Sequence, residues 1–165
     1  MIIILEGIDG SGKTTLAQQI SNQNGYPIIH KTQPKDEAEK KLMMGEYLQV
    51  IRTNKNAIFD RCWYSEMAYG PVMRDTSVIT FPQMYELERL AAKSGAMIIH
   101  CTGSEAALWQ RCQKRGEDYV VCRDDFKAIY KNFNDIFMAT GIGMCCMSPK
   151  QPKRGYAGRS GWRKW

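Results

Sequence analysis

The sequence predicts an α/β protein with three layers, a parallel sheet between two sets of helices, and three observations carry that expectation. Short apolar runs of strand length alternate along the chain with longer stretches of helical period. The runs are rich in Ile and have the near-continuous apolar cores of strands buried on both faces. Finally, Gly7-Ile8-Asp9-Gly10-Ser11-Gly12-Lys13-Thr14 satisfies G-x-x-x-x-G-K-[ST] at every fixed position, directly after the apolar run Ile2-Ile3-Ile4-Leu5 and directly before a helix-like stretch. That is a P-loop in the strand-then-helix context it requires.

Taken in order, strands are expected at about 2–6, 27–31, 56–60 and 96–102, because each of these runs is largely apolar and carries β-branched Ile. Helices are expected at about 13–24, 36–52, 63–70, 81–94, 104–115 and 123–138, with Gly25 and Gly95 placed to end two of them. Residues 1–140 read as one P-loop domain, since 165 residues suit a single core that needs no disulfide or metal staple. Residues 116–122 join two helices carrying Arg111, Arg115 and Arg123, so the stretch 111–123 reads as a lid able to bring cations over phosphates, with a solvated helix–helix connection as the alternative.

Charge is divided unevenly. Residues 1–140 hold 17 basic and 17 acidic residues, so the net charge of +6 resides wholly in residues 141–165. There Lys150, Lys153, Arg154, Arg159, Arg163 and Lys164 alternate with Tyr156, Trp162 and Trp165 among Gly and Pro. This composition suits a phosphate-attracting arm whose rings stack on bases, and equally a solubilising terminus. The six cysteines include no C-x-x-C pair, and His30 and His100 are not spaced with them as zinc ligands, so reduced thiols are expected. Glu6 interrupts the first apolar run too early for a signal peptide, and no run reaches transmembrane length. A cytoplasmic protein without a membrane partner is expected.

The P-loop implies a nucleoside triphosphate. Gly7, Gly10 and Gly12 let the N–H groups of residues 7–14, Ile8, Asp9 and Ser11 among them, turn inward around phosphate, and the following helix offers its positive end to the same anion. Lys13 is expected to reach the β- and γ-phosphates and the Thr14 hydroxyl to bind Mg²⁺. A second motif narrows the chemistry. Asn56-Ala57-Ile58-Phe59-Asp60-Arg61 is a strand ending in a carboxylate and a guanidinium, at the edge of the sheet where such folds bind ligands. Asp60 is suited to hold Mg²⁺ or to take a proton from an attacking hydroxyl, and Arg61 to neutralise phosphate.

Glu6-Gly7-Ile8-Asp9-Gly10-Ser11-Gly12-Lys13-Thr14-Thr15 and Asp60-Arg61-Cys62-Trp63-Tyr64-Ser65-Glu66-Met67-Ala68-Tyr69 together resemble the P-loop and the D-R-[YH]-x-x-S-x-x-A-Y segment of thymidylate kinases, over about residues 1–138. The resemblance implies a nucleotide kinase-like fold that uses ATP and Mg²⁺ and supplies cations from an arginine-bearing lid. It also implies that Asp9 lies near the sugar of the acceptor. Departures fall on the acceptor side. Thr32-Gln33-Pro34-Lys35 stands where the family usually has T-R-E-P-G, Gly70 where it commonly has glutamine, and Cys62 where it has a ring.

A phosphate acceptor needs cations, whereas an alcohol benefits from a carboxylate base. The missing arginine, with Asp9 and Asp60 retained, therefore favours an alcohol. A branch that resembles thymidylate kinases phosphorylates 5-hydroxymethyluracil in phage DNA during thymidine hypermodification, and the resemblance implies that acceptor here, in the host cytoplasm, with the tail on the strand and Trp63, Tyr64 or Tyr69 either stacked on an extruded base or core-facing in a short helix. The alternatives are a kinase for free deoxythymidine monophosphate or a related deoxynucleotide, and a nucleotide-gated nucleic-acid-binding protein.

Overall fold

The computed structural model describes residues 1–53, 56–115, 122–140 and 145–147. A five-stranded parallel sheet has the order β2-β3-β1-β4-β5. Its strands are β1 (Ile2–Glu6), β2 (Ile28–His30), β3 (Ala57–Asp60), β4 (Met97–Cys101) and β5 (Cys145–Met147). The helices are α1 (Lys13–Asn24), α2 (Glu37–Thr53), α3 (Trp63–Arg74), α4 (Phe81–Lys93), α5 (Glu105–Arg115) and α6 (Arg123–Ala139).

The central strand β1 pairs with β3 through Leu5↔Asp60 and with β4 through Glu6↔His100. Its alternate side chains serve two cores, as the two-residue period of a strand requires. Ile3 and Leu5 pack with Ile58, Ile99 and Ala17 under α1. Ile2 and Ile4 face the larger cluster formed with α2, α3, α4 and α6. This explains a strand buried at every residue and gives the three layers expected from the sequence.

Local contacts set where three of the helices begin or end. Gly25 closes α1 in the left-handed conformation, donating its N–H to Ser21 O at 2.8 Å. Thr80 and Gln83 form a capping box that starts α4. Helix α3 runs to Arg74, a turn beyond the end expected at Gly70-Pro71, and Arg74 there reaches back to Glu66. Residues 63–70 of α3 are all buried, since this helix packs against both sheet and α6.

Strand β5 falls inside the stretch read from sequence as tail. Its three residues lack a β-branched apolar run, yet they pair with β4 through His100↔Cys146. Residues 148–165, with all six basic residues of the arm, and lid residues 116–121 lie outside the described residues.

Candidate functional site

All the strands are parallel, so their carboxyl ends meet at one edge, and a cavity of about 530 Å³ opens there. The P-loop forms one end of it. Gly7, Gly10 and Gly12 have φ of 141°, 75° and 88°, and a Cβ at Gly7 would lie 2.1 Å from Cys101 O. Glycine is required here both by the backbone angle and by the neighbouring strand. Ser11 N–H donates to Ile8 O at 3.2 Å, which fixes the turn of the loop.

Lys13 opens α1 and is buried; its Nζ donates to Ile8 O at 2.9 Å and to Ser11 Oγ at 3.2 Å. Burial, then the nearby Arg61, pull its pKa down to about 8, against the opposing pull of Asp9 and Asp60. A triphosphate is the kind of partner that would reverse this deficit. Thr14 Oγ1 donates to Asp60 Oδ2 at 2.8 Å, which joins the two oxygens expected to serve a metal ion. Asp60 is buried and its Oδ1 has no hydrogen-bond partner among the described residues, while His30 Nδ1 lies 3.4 Å from Oδ2. A hydroxyl beside a buried carboxylate with one oxygen unpartnered is a donor set that fits Mg²⁺.

Arg61 and Asp9 form an ion pair, and Asp9 Oδ2 also accepts from the Tyr69 hydroxyl at 2.8 Å. The same hydroxyl accepts from Asp9 N–H at 3.0 Å, and the Arg61 guanidinium lies 5.0 Å from the centre of the Tyr69 ring. Burial alone would lower the Arg61 pKa, but Tyr69, Asp9 and Glu6 outweigh it and hold the guanidinium charged. Asp9, Asp60, Arg61 and Tyr69 thus share one wall of the cavity.

Several groups at the other end are not singled out by the sequence. Glu66 accepts from Arg74 through both oxygens at 2.6 Å and from Val78 N–H at 2.9 Å, and Arg74 approaches Gln33 Oε1 at 3.4 Å. Lys31, at the end of β2, pairs with Glu46 at 3.0 Å. Gln33, Lys31 and Arg74 all line the cavity, so this end of it carries cations although T-R-E-P-G is absent. The one local hint is Gly70: a Cβ there would lie 3.0 Å from Glu66 Oε1.

Two aromatic residues expected to stack on an acceptor base sit instead in the core. Trp63 and Tyr64 are fully buried, Trp63 edge-on to Tyr47 at 5.9 Å and Tyr64 4.8 Å from Phe137. The Tyr64 hydroxyl donates to Glu88 at 2.7 Å. The cause is the position of α3, which buries its first two turns on every side and leaves only Tyr69 of the three on the cavity. The lid cations also separate. Arg115 lines the cavity, and Arg111 donates to Gly10 O at 3.4 Å. Arg123 instead pairs with Glu105 at 2.5 Å and lies 5.2 Å from the Trp109 ring centre, which ties α6 to α5 away from the cavity.

The sheet order, the P-loop and the Asp-Arg strand end define a P-loop kinase fold. No protein-family model matches the sequence. The chain is 27% identical over 142 residues to the SPbeta prophage-derived uncharacterized protein YorR of Bacillus subtilis (strain 168), spanning 86% of this chain and 84% of that protein. The crystal structure of Bacillus subtilis YorR in complex with phosphorylated GDP superposes with a TM-score of 0.76 at 22% identity, over 90% of this chain and 85% of that one. Deoxyadenosine kinase from M. mycoides with bound dATP gives 0.62 at 16% identity, over 90% and 91% of the two chains. A gluconokinase from Sinorhizobium meliloti 1021 gives 0.59 at 16% identity, over 91% and 83%.

Proposed function

We propose that this protein is an ATP- and Mg²⁺-dependent kinase that phosphorylates a deoxynucleoside or its monophosphate held in the cavity. The reading rests on the contact between Thr14 Oγ1 and Asp60 Oδ2, with Asp60 Oδ1 buried beside it and unpartnered among the described residues. Thr14 and Asp60 would hold the ion, which when bound neutralises triphosphate charge. The P-loop amides and Lys13 would cradle the phosphates. Arg61 and Arg115 would meet charge that develops on the transferred group. Asp9 and Tyr69 would hold the acceptor sugar, and Gln33 and Arg74 the edge of its base. For an alcohol acceptor, Asp60 is the carboxylate suited to take the proton.

The cavity favours a free acceptor over a base within DNA, because two of the three rings proposed to grip an extruded base are in the core. The second reading, phosphorylation of 5-hydroxymethyluracil in DNA, is supported by the basic aromatic composition of residues 148–165. A labelling experiment separates the readings. Terminally labelled ATP is offered with free deoxynucleosides, with their monophosphates and with 5-hydroxymethyluracil DNA, and GTP replaces ATP in a parallel arm. Label on a free acceptor is expected. Label on DNA alone promotes the second reading, and acceptor-dependent label from neither class refutes phosphotransfer.

A further inference from the structure

Arg61 must be aimed into the cavity from an awkward place. Its φ is 75°, a left-handed conformation that non-glycine residues avoid, and it sits between the end of β3 and the start of α3. The strain has to be offset by surrounding contacts. The helix does not supply them itself, since Cys62 at its N-cap makes no side-chain cap bond. They come from β1. Leu5 O accepts from Arg61 N–H at 3.0 Å. Next to it, the wholly buried Glu6 carboxylate accepts from Cys62 N–H at 2.7 Å and Ser65 N–H at 3.3 Å through Oε1, and from Ser65 Oγ at 2.5 Å through Oε2. Ser65 Oγ in turn accepts from Arg61 Nη1 at 3.5 Å.

We infer that Glu6 is a positioning residue for phosphoryl transfer: through the amides of Cys62 and Ser65 and the Ser65 hydroxyl it clamps the turn that aims Arg61 into the cavity. A carboxylate in a fully buried place is unfavourable, and burial does raise its pKa against the opposing effects of Ser65, Arg61 and Cys62. Such a group is tolerated when its acceptors are filled, as they are here. Glu6 does not line the cavity, and its carboxylate bonds Cys62 and Ser65, so its effect should pass through the Arg61 turn and leave nucleotide binding alone.

The inference rests on the kinase reading for its kinetic part and is independent of it for its structural part. In Glu6→Gln the amide group keeps its size, but an –NH₂ replaces the oxygen that accepts from Ser65 Oγ. Turnover should fall roughly tenfold, since small misplacements of catalytic groups cost that much or more, with the nucleotide Kd within about twofold of the parent. In combination with Arg61→Ala the losses should not multiply, the double variant turning over like Arg61→Ala alone. In Glu6→Ala, which removes both acceptor oxygens, amide hydrogen exchange at Cys62 and Ser65 should quicken about tenfold while the β1–β3 amides hold their rates. Turnover within about twofold of the parent, multiplying losses, or unchanged exchange at Cys62 and Ser65 would each overturn the clamp. If the parent protein transfers no phosphate, the kinase reading falls, and the exchange rates alone decide whether Glu6 clamps the turn. If Glu6→Gln does not fold, Ser65→Ala, which breaks the link from Arg61 to Glu6, is judged by the same criteria.

Discussion

The two ends of the cavity are assembled in different ways. The phosphate end is built almost entirely from one octapeptide, Gly7–Thr14, with Asp60 delivered by the adjacent strand. The opposite end, which we assign to the acceptor, is gathered from Gln33 after β2, Tyr47 on α2, and Tyr69 and Arg74 on α3. A contiguous loop is held by its own backbone angles, whereas a gathered wall exists only when its helices pack correctly. Damage to the first end should therefore appear in chemistry with the fold intact, and damage around the second should appear in stability or acceptor recognition.

The largest effect is expected from Trp63→Ala. If Trp63 is core, the truncation should destabilise the protein by about 3–5 kcal/mol, read by denaturant unfolding, with acceptor preference unchanged in what remains folded. A small stability change with a marked loss of acceptor binding would return Trp63 to the acceptor wall. Lys13→Ala tests the contrast from the other side. Turnover should fall roughly 10²–10³-fold while the unfolding midpoint moves little, because the lost amine acts on transferring phosphate. Near-parental turnover would remove the phosphate end from catalysis.

His100 extends the comparison to pH. It lies in the core, stacked 4.0 Å from the Phe137 ring, and burial, with Lys13 adding repulsion, pulls its pKa down to about 4. The unfolded chain binds a proton near pH 6.5 and the folded chain does not, so this contribution is complete above about pH 6.5 and is lost as pH falls from there towards 4. Its size is on the order of 3 kcal/mol as an upper bound. Unfolding free energies measured across that window should decline more steeply in the parent than in His100→Gln, and equal slopes would contradict the burial argument. Tyr69→Phe should have the smallest effect. Removing the hydroxyl that bonds Asp9 is expected to raise the acceptor KM about tenfold or less while the ATP KM stays put, as steady-state kinetics would show.

The same contrast governs what the sequence reveals. The P-loop is legible because its meaning is local: fixed glycines, one lysine and one threonine in eight consecutive positions. The first four strands and the six helices are legible from period and apolar runs. Strand β5 escapes such a reading because three residues carry no period. Trp63 and Tyr64 mislead because aromatic residues after Asp60-Arg61 look alike whether a helix faces a cavity or is enclosed by sheet and α6. Charge alone places Arg123 with the lid, whereas its partner Glu105 and the Trp109 ring are set by helix packing. Glu66 and Arg74 lie eight residues apart with Pro71 between them, and only the continued helix brings them together. Glu6 is visible merely as a residue before the loop, since its role depends on a strand pairing with β3.

Gly10 has a mechanical meaning beyond its backbone angle. A Cβ at this position would lie 2.6 Å from Leu108 O and 3.1 Å from Cys112 Sγ, so the tip of the P-loop rests directly on the flank of α5. Arg111 bonds the Gly10 carbonyl from that same helix, and Arg115 lies one turn further on, beside the cavity. Helix α5 thus rests against the loop that would grip the phosphates. The contact has no room for a methyl group, so a side chain at position 10 would displace α5, and Arg115 with it, from the loop.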